Sequence, residues 1–289
     1  MMPRSTPNAW PPTSRSLQQH RRLFSDPSES DADLLIRTSD DVSFHLHSEV
    51  LLAQSENFLG NILKSFPNGH HDGIPLFTVS ETAAVFTIVV CAIYNLPYTD
   101  YDPSFLTLDA AVDAMRSYGL PVAALAGYDT PLFDILLTHA PTHPLSLFAL
   151  AAHHDLEPLA IAASAHLTAF PLADINDEEA ARIGALYLKR LFFMHLGREE
   201  ALRRLLLPHL VPHAPTEECS ATDQLPLLRA WALAASALAW DSNGDLAPAA
   251  IRAALTPLGT HLTCVTCLRG LEDRIDVVTR NWACTKRTI

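Results

Sequence analysis

The sequence predicts an α+β domain followed by an all-helical region, and three patterns carry that reading. Val42, Phe44 and Leu46 alternate with Ser43, His45 and His47, the period of a half-buried strand. The apolar run Phe86-Thr-Ile-Val-Val-Cys-Ala-Ile-Tyr94 then reads as a helix ending in tyrosine. Beyond Gly127 the chain turns rich in alanine and leucine, and no strand pattern returns.

Taken in order, residues 1–29 are rich in Pro, Ser, Arg and Gln and read as a disordered tail with a short turn near 17–24. Asp33, Leu34, Leu35 and Ile36 form an apolar first strand, 37–41 its turn, and 42–47 the second strand of a hairpin. Val50, Leu51 and Ala53 supply the apolar content of a helix. Ser55 is suited to cap a second one, whose face is Phe58, Leu59, Ile62 and Leu63. Pro67-Asn68-Gly69 and His70-His71 mark 66–73 as an exposed loop before a strand at 74–79, and 98–103 is another loop.

Asp33, Phe44, His47, Leu51, Ser55, Phe58, Phe86 and Tyr94 follow a recognisable order: an aspartate at the first strand, F-x-x-H-K-x-x-L-x-x-x-S-x-x-F, then F-x-x-l-l-x-x-i-Y. Residues 109–120 look like a closing A-A-x-x-Y-G-[ML] helix. In these residues the chain resembles the BTB/POZ domain over 30–126, and 127–289 is similar to the helical tails of fungal proteins whose only named domain is a BTB. The resemblance implies a small sheet covered by helices, with Phe44, His47, Leu51, Phe86 and Tyr94 as structural core. It implies a non-enzymatic protein-protein interaction module or scaffold, with protein partners and a homo-oligomer through the BTB domain. Asp33, Phe58, Leu59, Ile62 and Leu63 are the interaction candidates, at least half of the four apolar ones doubling as core. His47, placed inside, must be hydrogen-bonded there.

Departures from the pattern matter as well. Asp26-Pro27-Ser28-Glu29-Ser30 interrupts the link by which familiar BTB dimers exchange an N-terminal helix, and Ser48 stands where a lysine pairs with the aspartate. A substrate adaptor for a cullin-based ubiquitin ligase is the alternative reading. Its helical extension is available in the tail, but 63–73 lacks the glutamate of the hydrophobic-x-Glu motif. No kelch-like blade motif follows.

Composition sets further bounds. With 289 residues, 48% of them hydrophobic, the chain can build two cores. A net charge of -12, from 20 basic against 32 acidic residues, argues against direct nucleic-acid binding, which needs clustered Lys and Arg. Five cysteines without a charged start leading into an apolar run point to free thiols in an intracellular protein, cytoplasmic or nuclear. Residues 83–98 fall short of the roughly 20 apolar residues of a spanning helix, so no membrane partner is expected and the stretch reads as a buried helix.

In the second region helices are expected at 145–154, 158–169, 177–196, 198–207, 226–240, 247–256 and 262–282, with prolines such as Pro131, Pro144 and Pro248 marking breaks. Asn176 or Asp177 caps the third and Gly197 ends it. Pro226 belongs to a first turn, and 241–244 is a turn.

The sharpest chemical motif is Cys264-x-x-Cys267, with His261, Cys219 and Cys284 as further donors for zinc. A single C-x-x-C is half a site, however. Cys264 also heads an apolar helical stripe with Leu268, Leu271, Ile275, Val278 and Trp282, so core packing is the preferred role and neither metal nor cofactor is expected. Zinc, or a redox dithiol that would need a preceding strand, gives the alternative of another class: a zinc- or thiol-dependent activity at Cys264 and Cys267. The pairs His70-His71 and His153-His154 read as exposed polar residues. No G-x-S-x-G, phosphate-binding glycine loop or EF-hand order is present, and no catalytic residue is assigned.

Overall fold

A hairpin opens the structure, a computed structural model that describes residues 32–98, 102–241 and 244–289. Leu34–Arg37 (β1) pairs antiparallel with Ser43–Leu46 (β2), setting Ile36 opposite Phe44. Both faces of β1 are buried, which accounts for its unbroken Leu34-Leu35-Ile36 run, whereas β2 alternates buried and half-buried residues. Gly69–His71 (β3) and Ile74–Thr78 (β4) complete a four-stranded sheet in the order β2-β1-β4-β3, β4 running parallel to β1. β3 replaces part of the expected loop. Its hairpin turns on Asp72 and Gly73, both at positive φ, the two-residue Asp-Gly turn that suits strand twist.

Helices cover this sheet. Ser48–Gln54 (α1) packs on Ala83–Ile93 (α2), and α2 packs on Phe105–Ser117 (α3). Every residue of α2 from Phe86 to Ile93 is buried, which is why it reads as continuous apolar sequence. Ser104 caps α3, its hydroxyl accepting from the Thr107 N–H. Val122–Leu125 (α4) and Pro131–Thr138 (α5) follow. The helix α5 was not foreseen: Pro131 starts it rather than breaking the chain, behind the cap Thr130.

The second helix expected after Ser55 does not form. Phe58, Leu59, Gly60 and Asn61 all have positive φ, making a left-handed turn that a short 3₁₀ segment, Ile62–Lys64, follows. Such backbone costs about 1–2 kcal/mol per non-glycine residue. Side chains offset it: Ser55 Oγ accepts from the Leu59 N–H at 2.7 Å, Asn57 Oδ1 accepts from the Gly60 N–H at 2.7 Å, and Leu59 is wholly buried.

The chain divides into two compact units, one running to His143 and including His154–Leu159, the other made of Pro144–His153 and Ala160–Ile289. The second is helical: Pro144–His153 (α6), Asp177–Leu206 (α8), Ala221–Asp241 (α9), Pro248–Leu255 (α10) and Val265–Ala283 (α11), with Glu157–Ser164 (α7) lying across the boundary in sequence. Asn176 caps α8 through a reciprocal pair with Glu179, as its sequence position suggests. Gly197 does not end that helix. The backbone leaves helical geometry at Gly184 instead, with φ 74° and ψ 160°. α9 begins at Ala221, so Pro226 lies inside it and not in the first turn.

Trp231 is fully buried and donates to the carbonyls of Leu206 and Pro208, tying the end of α8 to α9. Around it Leu202, Leu206, Leu227, Ile251, Leu271 and Ile275 form the core of the second unit. The tail at 1–29, the interrupting 26–30 segment, residues 99–101 of one loop and 242–243 of the 241–244 turn lie outside the described residues.

Candidate functional site

In the first unit the sequence-predicted residues come together in direct contacts. Phe44 meets Phe86 edge-on at 5.1 Å between centroids, and Phe86 meets Tyr118 at 6.4 Å. Ser55 Oγ donates to the Tyr118 carbonyl at 2.6 Å, and the Glu56 N–H donates to the Gly119 carbonyl. Leu51, Phe44 and Phe86 are core. His47 and Tyr94 are only half-buried, so the expectation of an interior histidine is corrected: its backbone N–H donates to the Tyr94 hydroxyl and its Nδ1 lies 3.1 Å from the same oxygen. Residue 47 is the N-cap of α1, placed between strand and helix at the end of the hairpin.

Asp33 is exposed, and its carboxylate accepts from both the backbone N–H and the hydroxyl of Ser48. Partial desolvation pushes its carboxyl up, but the hydrogen bonds from Ser48 outweigh that and hold it below the ordinary value. The contact expected of a lysine therefore persists without the second charge.

Of the four apolar interaction candidates, Leu59 is 0% exposed and belongs to the core, because the left-handed turn rotates it inward. Phe58 is 40% exposed, and the Lys64 ammonium sits 4.0 Å above its ring. Ile62 and Leu63 are half-buried. Two residues not singled out in the sequence add to this segment: Leu52 is 43% and Phe66 96% exposed.

The second unit holds a group of a different kind. His213, Cys219, Cys264 and Cys267 each offer one donor atom, all within 4.8 Å of one another. Cys219 Sγ lies 3.8 Å from Cys267 Sγ, and His213 Nε2 lies 3.4 Å from Cys264 Sγ and 3.3 Å from Cys267 Sγ. Two elements present them. Cys264 is the N-cap of α11 and Cys267 sits in its first turn, while Cys219 closes a tight turn with Thr216 just before α9. His213 lies on the proline-rich stretch between α8 and α9, where buried Gln224 donates to its carbonyl.

The apolar stripe of α11 thus starts at Cys267, not at Cys264: Cys267, Leu271, Ile275, Val278 and Trp282 are buried, while Cys264 precedes the helix and is half-buried. Backbone N–H groups of Cys267 and Thr266 face the Cys264 sulfur and bring its thiol down to about 6, whereas burial raises Cys219 and Cys267. Of the further donors suggested by sequence, Cys219 joins the group. His261 and Cys284 do not, Cys284 being exposed at the far end of α11. His213 was missed, although His213-x5-Cys219 ahead of Cys264-x2-Cys267 is the available signal. Cys91 is buried in α2, in the other unit.

The histidine pairs differ from each other. His70 and His71 are exposed on β3, but His154 is buried, its Nε2 2.8 Å from an Asp113 oxygen. No helix among the described residues is long and apolar enough to cross a membrane. No protein-family model matches this chain, and no curated protein does.

Proposed function

We propose that the chain is a non-enzymatic protein-protein interaction module or scaffold that acts through a BTB/POZ-type N-terminal unit. One observation carries the reading: residues up to 63 positions apart in the sequence, chosen for their order alone, meet in direct contacts. Asp33 bonds Ser48, His47 bonds Tyr94, Ser55 bonds Tyr118, and Phe86 bridges Phe44 and Tyr118. Scattered aromatics would have removed the basis for the resemblance.

The surface supports the same reading. Leu52, Phe58 and Phe66 stand out to solvent within 15 residues of sequence in the first unit, and large exposed apolar side chains are the kind that protein contacts cover. The acidic balance of 32 against 20 directs the partner away from nucleic acid. A second copy of the chain is the first partner to test. Light scattering on the eluting full-length protein at two concentrations should give a mass above the 31.7 kDa of one chain, rising with concentration. A monomer mass at both concentrations would remove self-association from the proposal.

A further inference from the structure

We propose that His213, Cys219, Cys264 and Cys267 bind one Zn²⁺ ion in a closed, structural Cys₃His site. The proposal stands apart from the interaction reading and concerns the second unit alone. Its basis is distance. A tetrahedral zinc with ordinary Zn–S and Zn–N bonds sets its sulfurs about 3.8 Å apart and its nitrogen about 3.6 Å from each sulfur. The sulfurs of Cys219 and Cys267 are 3.8 Å apart, and His213 Nε2 lies 3.4 Å from Cys264 Sγ and 3.3 Å from Cys267 Sγ.

Three competing explanations fit less well. A disulfide needs sulfurs about 2.05 Å apart, and none of the cysteines is paired in this way. Hydrophobic packing explains why Cys219 and Cys267 are buried, but not why an imidazole nitrogen is directed at two sulfurs. A redox dithiol would use Cys264 and Cys267 alone and has no need of Cys219 and His213.

The histidine is also prepared for metal. Its Nδ1 lies 2.7 Å from the Ala214 carbonyl, an oxygen that can only accept, so Nδ1 carries the proton and Nε2 keeps its lone pair for the site. This is the backbone-carbonyl partner that metal-binding imidazoles use to fix ring and tautomer. Three thiolates and an imidazole are the donor set that selects zinc among common ions. On binding, each thiol releases its proton to solvent and Nε2 donates its lone pair. All four positions are filled from the protein, so the ion holds structure and leaves none for a substrate.

What it holds is visible in the fold. The stretch between α8 and α9 carries Pro208, Pro212 and Pro215, has no regular element beyond the Thr216–Cys219 bridge, and buries few side chains, Leu210 and Cys219 among them. Zinc would fasten it to the start of α11, 45 residues beyond Cys219 in the sequence.

The test is metal analysis of the full chain purified without chelator. One zinc per chain is expected, retained by Cys284→Ser and His261→Ala and lost from Cys219→Ser and Cys264→Ser. Because a ligand variant can fail to fold, the wild-type chain stripped of metal is titrated with Co²⁺ alone. Intense visible bands of tetrahedral thiolate cobalt, abolished by added Zn²⁺, are the second expected result. The proposal is overturned if wild-type protein carries no zinc and gives no such bands. Undiminished metal in the Cys219→Ser and Cys264→Ser proteins would overturn it too, as would a disulfide among the three cysteines in metal-free protein as isolated.

Discussion

At Asp33 the carboxylate takes two hydrogen bonds from Ser48, where the BTB/POZ pattern places a lysine. A carboxyl whose folded value is lowered adds stability that is present above the ordinary aspartate range and is lost as pH falls through the folded value. Ser48→Ala removes the hydroxyl but keeps the backbone donor, so an NMR titration of Asp33 should show its value moving upward towards about 3.9. An unchanged titration would mean that the side-chain bond is not formed. In the second unit Arg198 is buried and donates to the carbonyls of Gly244, Thr285 and Lys286, with its guanidinium 4.4 Å from the Trp282 ring. Truncation leaves these acceptors without their donor, and Arg198→Ala should cost about 3 kcal/mol in denaturant unfolding. A loss below about 0.5 kcal/mol, the range of an ordinary surface change, would contradict that role.

Among the elements, α8 offers the clearest contrast. Gly184 sits at φ 74° and ψ 160°, a region almost closed to other residues, while Gly197 lies in regular helix with nothing within 4 Å of an added Cβ. Gly184→Ala should therefore destabilise the protein by about 1–3 kcal/mol. Gly197→Ala should be neutral or stabilise it by up to about 1 kcal/mol. Thermal unfolding of the two variants side by side checks this, and equal effects would show the helix to be unbroken. The same helix shows why sequence reading stops where it does. A glycine's conformation depends on what surrounds it, so Gly197 resembles a terminator by residue type alone. The cap at Asn176 was legible because capping is a local device, whereas its reciprocal bond with Glu179, three residues on, was not singled out. β3 was legible in principle through Asp72-Gly73, but its exposed Gly-His-His strand has no alternation to announce it. The left-handed turn at Phe58 was not legible, since Ser55 caps it with the same hydroxyl that would cap a helix.

Across the whole molecule, the α+β class and the run of C-terminal helices follow from period and composition, and the described residues agree with both. The metal-type cluster was half legible. Cys264 and Cys267 are three residues apart in the sequence, whereas Cys219 and His213 reach them only through tertiary packing, a long-range fact that spacing does not encode. The exposed apolar side chains were partly legible: Phe58 was anticipated, but Leu59 turned inward and Phe66 emerged at 96% exposure. Phe58→Asp with Phe66→Asp places charges where two exposed rings stand, so folding should be unaffected, with melting temperature within about 2–4 °C of the parent. Any assembly that covers those rings should weaken sharply.

Affinity purification of the tagged full-length chain from the cells that make it, run beside the Phe58→Asp/Phe66→Asp protein, tests the interaction reading most directly. The expected result is a small set of proteins, or untagged copies of the chain itself, held in near-equal amount by the parent and absent from the doubly substituted protein at matched folding and expression. Recovery of nothing by either, or of the same proteins by both, would contradict it.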